Sequence, residues 1–288
     1  MAQRSNPLPV ISDFIVNAAL SDAFREDLGD AGDITSLTVV PKEVCTTVDL
    51  VVRQDGCIAG LEVACAAFQF LDPAIEYSNH VHDGEKVAAG QSLVHIGGNA
   101  RAILSAERVA LNFLGHMSGI ATATRTIVEA IEGSNAKVCC TRKTTPGLRI
   151  FEKYAVRAGG GVNHRFGLYD GILIKDNHIA IAGGIKQALH SARLAGGHMT
   201  KIEIEIDTLT QLDQALEIGV DAVLLDNMST QDLSEALKRI DGHALAEASG
   251  GITAETAAAV AATGVDLISV GWLTHSSPCL DVALDFRS

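Results

Sequence analysis

Seven cations fall between Arg142 and Lys175 in a chain whose formal net charge is −13: Arg142, Lys143, Arg149, Lys153, Arg157, Arg165 and Lys175, against Glu152 and Asp170 alone. That segment carries +5 and the rest of the chain −18. A cationic zone inside an anionic protein points to a small anionic ligand. Arg142 and Lys143 end the apolar run VCC, Lys175 ends ILI, and His164 and Arg165 stand in the glycine-rich stretch GGGVNHRFG. The planar fork of arginine matches a carboxylate through two parallel hydrogen bonds. For His164 two readings stay open, a capped loop histidine or a ligand contact. Arg149, Lys153 and Arg157 recur every four residues and are expected on the solvated face of one helix.

Carboxylates and glycines end the other apolar runs. EIE delivers Glu205 and VLL delivers Asp226. Two such oxygen ligands suit Mg²⁺, which takes one or two carboxylates together with substrate phosphates; salt bridges to nearby lysines are the alternative. Glu203 precedes Glu205 by two residues and shares its strand face, so the pattern leaves open which of them dominates a metal site. EASGG places Ser249, Gly250 and Gly251 between a strand and a helix beginning near Thr253, and SVG ends the next strand at Gly271. Backbone N–H groups at such a junction cradle phosphate, and glycine permits close approach. His80 and His82 form an H-x-H with no third ligand in sight, and EDLGDAGD lacks the spacing of a calcium loop and is expected to be a solvated turn.

The elements that must position these groups follow from periodicity. Residues 13–28 read as a helix, 46–53 as an alternating strand continued by GCIAG, 61–71 as a helix and 75–96 as further short strands. A long helical stretch runs from Ser105, with Gly115 and Gly119 expected to break it. Beyond Gly133 six apolar runs recur (KVCC, GILI, KIEIEI, AVLL, ALAEA, LISV), separated by helical segments at 147–158, 179–195, 208–218, 229–239 and 253–262. Strands alternating with helices predict a parallel sheet rolled into a β/α barrel, and six units instead of eight predict an incomplete one. A doubly wound open sheet is the alternative, but no G-x-G-x-x-G follows a strand. In a β/α barrel the strand C-termini converge on one mouth where catalytic groups sit. All the groups named above, apart from the helical stripe, His80, His82 and the acidic turn, belong to that mouth.

With 288 residues, 47% of them hydrophobic, the chain can bury a substantial core in one or two domains. No run approaches the length of a membrane span and the N-terminus lacks the apolar run of an export signal, so a cytoplasmic protein with no membrane partner is expected. Six cysteines without C-x-x-C or His/Cys spacing are expected to be buried reduced thiols. A pI near 5.1 argues against a nucleic-acid partner.

The motifs EDLGDAGDITS, SAERVALNFLGHMSGIAT, TRKTTPGLR, GGGVNHRFGLYDGILIKDNHI, EIEIDTL, LLDNM, EASGGI and SVGWLTHS, in this order over roughly residues 20–276, resemble those of the quinolinate phosphoribosyltransferases. The resemblance implies an α/β fold: an N-terminal α/β sandwich over residues 1–118, with the tail 276–288 packing on it, and an incomplete β/α barrel over 119–275. It implies that quinolinate and phosphoribosyl pyrophosphate give nicotinate mononucleotide, pyrophosphate and CO₂ with Mg²⁺. It also implies a homodimer with shared active sites, a hexamer being the larger assembly left open. By position, Arg108 would reach the partner's quinolinate, and Arg142, His164, Arg165 and Lys175 would line the dicarboxylate pocket. Lys143 would lie between quinolinate and pyrophosphate, Glu205 and Asp226 would serve the metal and ribose, and Ser249, Gly250, Gly251 and Gly271 would hold the 5′-phosphate. Trp272 departs from the family pattern, which has a small residue after the glycine. Three other readings fit the barrel: a lyase using Lys143 or Lys175 as a Schiff base, a phosphosugar-binding protein without turnover, which would not need the carboxylate pair, and a pyrophosphorylase for a different aromatic acid, which would keep the phosphate site but alter the dicarboxylate cations.

Overall fold

The computed structural model describes residues 8–286. In chain order the elements are α1 (Asp13–Leu28), α2 (Ile34–Val39), β1 (Cys45–Val52), β2 (Gly56–Cys57), α3 (Leu61–Leu71), β3 (Glu76–Asn79), β4 (Lys86–Val87), β5 (Ser92–Asn99), α4 (Ala100–Ala130), β6 (Lys137–Cys139), α5 (Arg149–Ala158), β7 (Ile172–Ile174), α6 (Asp176–Ala182), α7 (Ile185–Ala195), β8 (Ile202–Ile206), α8 (Leu209–Ile218), β9 (Ala222–Asp226), α9 (Thr230–Ile240), β10 (Leu245–Ser249), α10 (Ala254–Ala261), β11 (Leu267–Ser269), one 3₁₀ turn (Gly271–Thr274) and β12 (Val282–Phe286). Contacts divide them into two compact units, one of residues 1–125, 150–160 and 276–288, the other of residues 126–149 and 161–275.

The first unit is built on an antiparallel sheet in the order β12-β1-β5-β3, with α1 and α3 packed together. Its core draws on Leu50, Val52, Ile96, Phe68 and Leu114, all without solvent exposure. The C-terminal strand is integral to it: Leu50 pairs with Leu284 and Val52 with Val282. The helix expected to break at Gly115 and Gly119 is instead continuous through 31 residues. Those glycines leave room for another stretch of backbone. A Cβ on Gly119 would lie 2.1 Å from the Pro278 carbonyl oxygen, and one on Gly115 2.9 Å from that of Leu280. Leu280 N–H donates to the Gly115 carbonyl at 2.9 Å, so the segment entering β12 lies directly on α4.

Two more expectations fail here. The stripe on α5 is not solvated: Lys153 has zero exposure, and Phe151, Glu152, Ala155, Val156 and Ala158 are buried beside it. The Phe151 ring packs 5.4 Å from that of Phe113, and Glu152 pairs with His116 Nε2 at 3.0 Å, so the first unit encloses this helix. The acidic turn is solvated as expected, with Glu26, Asp27 and Asp30 exposed, and it ends on Asp33, which caps α2 by accepting from Ser36 N–H at 3.0 Å and is also held by the Ser105 hydroxyl. None of the six cysteines forms a disulfide, but Cys45 and Cys279 are exposed instead of buried.

The second unit holds six parallel strands in the order β6-β11-β10-β9-β8-β7, an incomplete barrel extended by a parallel bridge between Cys139 and Val162. The stretch expected as one helix over 179–195 is two, α6 and α7, parted at Gly183-Gly184, where Gly184 N–H returns to the Ile179 carbonyl at 2.9 Å. Strand alternation sets the faces. In β8, Ile202, Ile204 and Ile206 are buried while Glu203 and Glu205 take the other face. No helix among the described residues is long and apolar enough to cross a membrane.

Candidate active site

The same alternation, applied to every strand of the second unit, builds one cavity of about 390 Å³. It is lined by Thr141, Arg142 and Lys143 after β6, His164 and Arg165 from the glycine-rich loop, and Leu173 and Lys175 at β7. Glu205, Leu224, Asp226, Glu247, Ser249 and Ser269 complete it from β8 to β11. The register Asp226↔Ser249 and Glu205↔Leu224 carries these side chains to the strand C-terminal end, the mouth of the barrel. In a larger cavity in the first unit, about 630 Å³, two of the acids are already engaged: Tyr154 Oη donates to Asp83 at 2.7 Å and Tyr77 Oη to Glu62 at 3.0 Å.

The cations are held from behind. Arg149 donates to the Thr144 hydroxyl at 2.9 Å, the Phe166 carbonyl at 2.9 Å and the Arg142 carbonyl at 3.4 Å, so one guanidinium ties the loop after β6 to the glycine-rich loop. Four-residue spacing on a helix gave no sign of that role. Lys143 N–H donates to Thr141 Oγ1 at 3.0 Å. Arg165 Nη1 donates to the Gly171 carbonyl at 2.7 Å, while Arg165 Nε and Arg142 Nε are buried without a hydrogen-bond partner. Burial, and then the Arg142 charge, pull the Arg165 guanidinium below its ordinary range. Two mutually repelling guanidinium groups with unpaired buried donors are chemically suited to an anion.

His164 has both ring nitrogens engaged. Nδ1 accepts the Arg165 backbone N–H at 2.7 Å, which leaves the proton on Nε2, donated to Glu203 at 2.9 Å. The ring therefore fixes Arg165 instead of offering a free nitrogen to a ligand. Glu203 and Glu205 are thereby separated in role: Glu203 pairs with His164, Glu205 with Lys175. The salt-bridge alternative considered for Glu205 is thus realised. Glu247 lies beneath, 1% exposed, with Oε1 lacking a hydrogen-bond partner and His164 Nε2 4.0 Å away. Burial, reinforced by the Glu203 carboxylate and opposed by His164, pushes its carboxyl up to about 7.

His164, Glu203 and Glu247 bring their ligand atoms within 4.8 Å of one another, close enough to hold a metal ion. Glu205 and Asp226 offer a second set, oxygen only, at the cavity surface. Asp226 is oriented by Asn227, whose Nδ2 donates to it at 2.6 Å. Hard oxygen donors at a mouth shared with cations fit a magnesium-phosphate complex better than a set containing imidazole.

The glycine cradle adjoins this pair. Gly250 and Gly251 have φ of 104° and 58°, and Ser249 accepts Asn227 N–H at 2.9 Å. Gly271 is pressed by Lys143, whose Cδ would lie 3.0 Å from a Cβ there, and Thr274 Oγ1 donates to the Lys143 carbonyl at 2.7 Å. The structure thus gathers every expected site residue of the barrel around one mouth. Arg108 is different: it is exposed on α4, in the first unit, and the cavity is lined by the second unit alone.

Comparison with known proteins agrees with this architecture. Residues 33–118 match the family model described as quinolinate phosphoribosyl transferase, N-terminal domain, and residues 120–285 the one described as its C-terminal domain. A Bacillus subtilis protein named probable nicotinate-nucleotide pyrophosphorylase (carboxylating) is 46% identical over 266 residues, covering 92% of this chain and 91% of that one. The crystal structure of NadC from Streptococcus pyogenes superposes with a TM-score of 0.93 at 38% identity, covering 97% of this chain and 100% of that one. The nicotinate-nucleotide pyrophosphorylase of Francisella tularensis gives 0.92 at 36% identity, over 99% and 100%. The chain belongs to the quinolinate phosphoribosyl transferase family.

Proposed function

We propose that the protein transfers the phosphoribosyl group of phosphoribosyl pyrophosphate to the ring nitrogen of quinolinate, releasing pyrophosphate and CO₂ and leaving nicotinate mononucleotide. The observation that carries this reading is the pair of buried, unpartnered guanidinium nitrogens of Arg142 and Arg165 in a cavity that also holds Lys143, Lys175 and the carboxylates Glu205 and Asp226. A dicarboxylate satisfies the first group, and a metal-bound pyrophosphate uses the second.

In this reading Arg142, Arg165 and Lys175 bind the two carboxylates, and His164 contributes by holding Arg165. Ser249, Gly250, Gly251 and Gly271 hold the 5′-phosphate. The ring nitrogen attacks the anomeric carbon as its bond to pyrophosphate breaks, and the bond electrons leave with pyrophosphate. Lys143 stabilises that leaving charge, and the cationic walls align the nucleophile. Glu205 and Asp226 would hold Mg²⁺, which when bound supplies charge neutralisation at the pyrophosphate oxygens. The 2-carboxylate then departs as CO₂, its bonding pair stays on ring carbon 2 beside the cationic nitrogen, and a solvent proton completes the product. Neither a redox group nor a covalent nucleophile enters.

The domain assignment we adopt is a sandwich over 1–118 with the tail 276–288, and a catalytic barrel over 119–275 from which residues 119–125 and 150–160 pack with the first unit. Exposed Arg108 supports a homodimer with shared sites, in which it enters the partner's quinolinate pocket; a cytoplasmic location and a hexamer of such dimers accord with this reading. Release of pyrophosphate and CO₂ in a 1:1 ratio from quinolinate tests the reaction. Binding of phosphoribosyl pyrophosphate without release would turn the assignment into a phosphosugar-binding protein, and a borohydride-trapped carbonyl adduct on Lys143 or Lys175 into a lyase.

A further inference from the structure

The two-glycine run of the phosphate cradle has no side chains of its own to fix it. Gly250 and Gly251 both occupy positive φ, where the glycine backbone is free to move at little cost. A cradle built of backbone N–H groups works only if those groups are already aimed before the anion arrives. The ties that aim them must therefore come from outside the run. At its start, Asn227 N–H donates to the Ser249 carbonyl at 2.9 Å. At its end, the Trp272 indole Nε1 donates to the Ile252 carbonyl at 3.0 Å.

Trp272 is itself firmly seated. It belongs to the 3₁₀ turn Gly271–Thr274, whose Leu273 and Thr274 have no solvent exposure. Thr274 Oγ1 holds the Lys143 carbonyl at 2.7 Å, and Val270 N–H donates to the Cys139 carbonyl at 2.9 Å. One short turn thus reaches the lysine loop through Thr274 and the glycine loop through Trp272. We propose that Trp272 is a positioning residue that straps the Ser249–Ile252 loop to the turn after β11 and so presets the site for the phosphate of the phosphoribosyl substrate. This deepens the transferase reading and rests on it for the identity of the phosphate.

The indole plays two separable parts, bulk and a donor. Trp272→Phe keeps an aromatic ring and deletes the N–H, so the Ile252 carbonyl loses its partner while most of the packing survives. A neutral hydrogen bond of this kind corresponds to roughly a two- to tenfold change in an equilibrium constant. The KM for phosphoribosyl pyrophosphate should rise by that factor, with kcat and the KM for quinolinate within about twofold of wild type. Calorimetry with ribose 5-phosphate, which carries the phosphate without the leaving group, should show the same loss of affinity. Trp272 is the sole tryptophan in 288 residues, so intrinsic fluorescence of the wild-type protein is a reporter at this loop. Saturable perturbation of its emission by ribose 5-phosphate is expected.

An unchanged affinity of Trp272→Phe for ribose 5-phosphate overturns the strap, as does an equal rise in both substrates' KM values. If the wild type fails to turn over quinolinate while ribose 5-phosphate still perturbs emission and binds Trp272→Phe more weakly, the transferase reading falls and the strap stands.

Discussion

Asn227 and Gly250 meet at the ends of the neighbouring strands β9 and β10: a Cβ on Gly250 would lie 2.1 Å from Asn227 Oδ1. The same Asn227 adopts φ 53° and directs its Nδ2 at Asp226, so one side chain links the glycine cradle to a carboxylate of the proposed metal pair. In the proposed mechanism the phosphate and metal sites would share this joint.

Gly250→Ala should break that joint. The new methyl cannot coexist with Asn227 where it stands, and φ of 104° disfavours any Cβ, a further cost of about 1–2 kcal/mol. We expect kcat/KM for phosphoribosyl pyrophosphate to fall at least about tenfold, with the circular dichroism spectrum of the wild type retained. Unchanged kinetics would mean that the loop does not need its observed conformation.

Glu205→Ala and Asp226→Ala should weaken both activity and the response to Mg²⁺ while the fold persists. Both carboxylates sit at the mouth and not in the apolar core, so truncation opens no cavity among packed side chains. Glu205→Ala also frees Lys175 from its ion pair. Mg²⁺ titrations of activity provide the check, and titration curves identical to wild type in both variants would remove the pair from the metal site.

Glu247 predicts a pH dependence of stability. Its carboxyl is raised from 4.5 to about 7 by burial and Glu203, so between those values the folded protein binds more protons than the unfolded chain. Stability must then fall as pH rises through that window, by on the order of 3 kcal/mol from this group. Glu247→Gln cannot titrate, and its melting temperature should drop less between pH 5 and pH 8 than that of the wild type. Parallel profiles for the two proteins would contradict the assignment.

The strand ends were legible because they obey local rules. Alternation in IEIEI puts Glu203 and Glu205 on the face opposite three buried isoleucines, and strand-helix rhythm carries Arg142, Lys175, Asp226 and Ser249 to one mouth. What was not legible depended on distant partners. Gly119 reads as a helix breaker until Pro278 is seen against it, and Lys153 reads as solvated until its helix is found enclosed. Arg149 looked like surface charge, yet it clamps the loop bearing Arg142. The division of labour between Glu203 and Glu205 needed His164 and Lys175 in place, because sequence gives a shared face but not the partner met on it.

Arg108 and Lys143 test the shared site. In a two-fold dimer with composite sites, Arg108→Ala and Lys143→Ala should each be nearly inactive alone. Unfolding the mixture and reassembling it gives heterodimers with one doubly defective site and one intact site. Equal random pairing should restore roughly a quarter of wild-type activity. No recovery, with subunit exchange demonstrated, would place Arg108 within its own chain's site or outside catalysis.

If the cations of the barrel mouth bind a dicarboxylate, substrate choice reveals it most directly. Nicotinate lacks the 2-carboxylate and would leave Arg142 and Arg165 donors buried and unpaired, a defect that polar sites reject strongly. Measured side by side with phosphoribosyl pyrophosphate and Mg²⁺, kcat/KM for quinolinate should exceed that for nicotinate by at least about a thousandfold. Values within tenfold of each other would contradict the account.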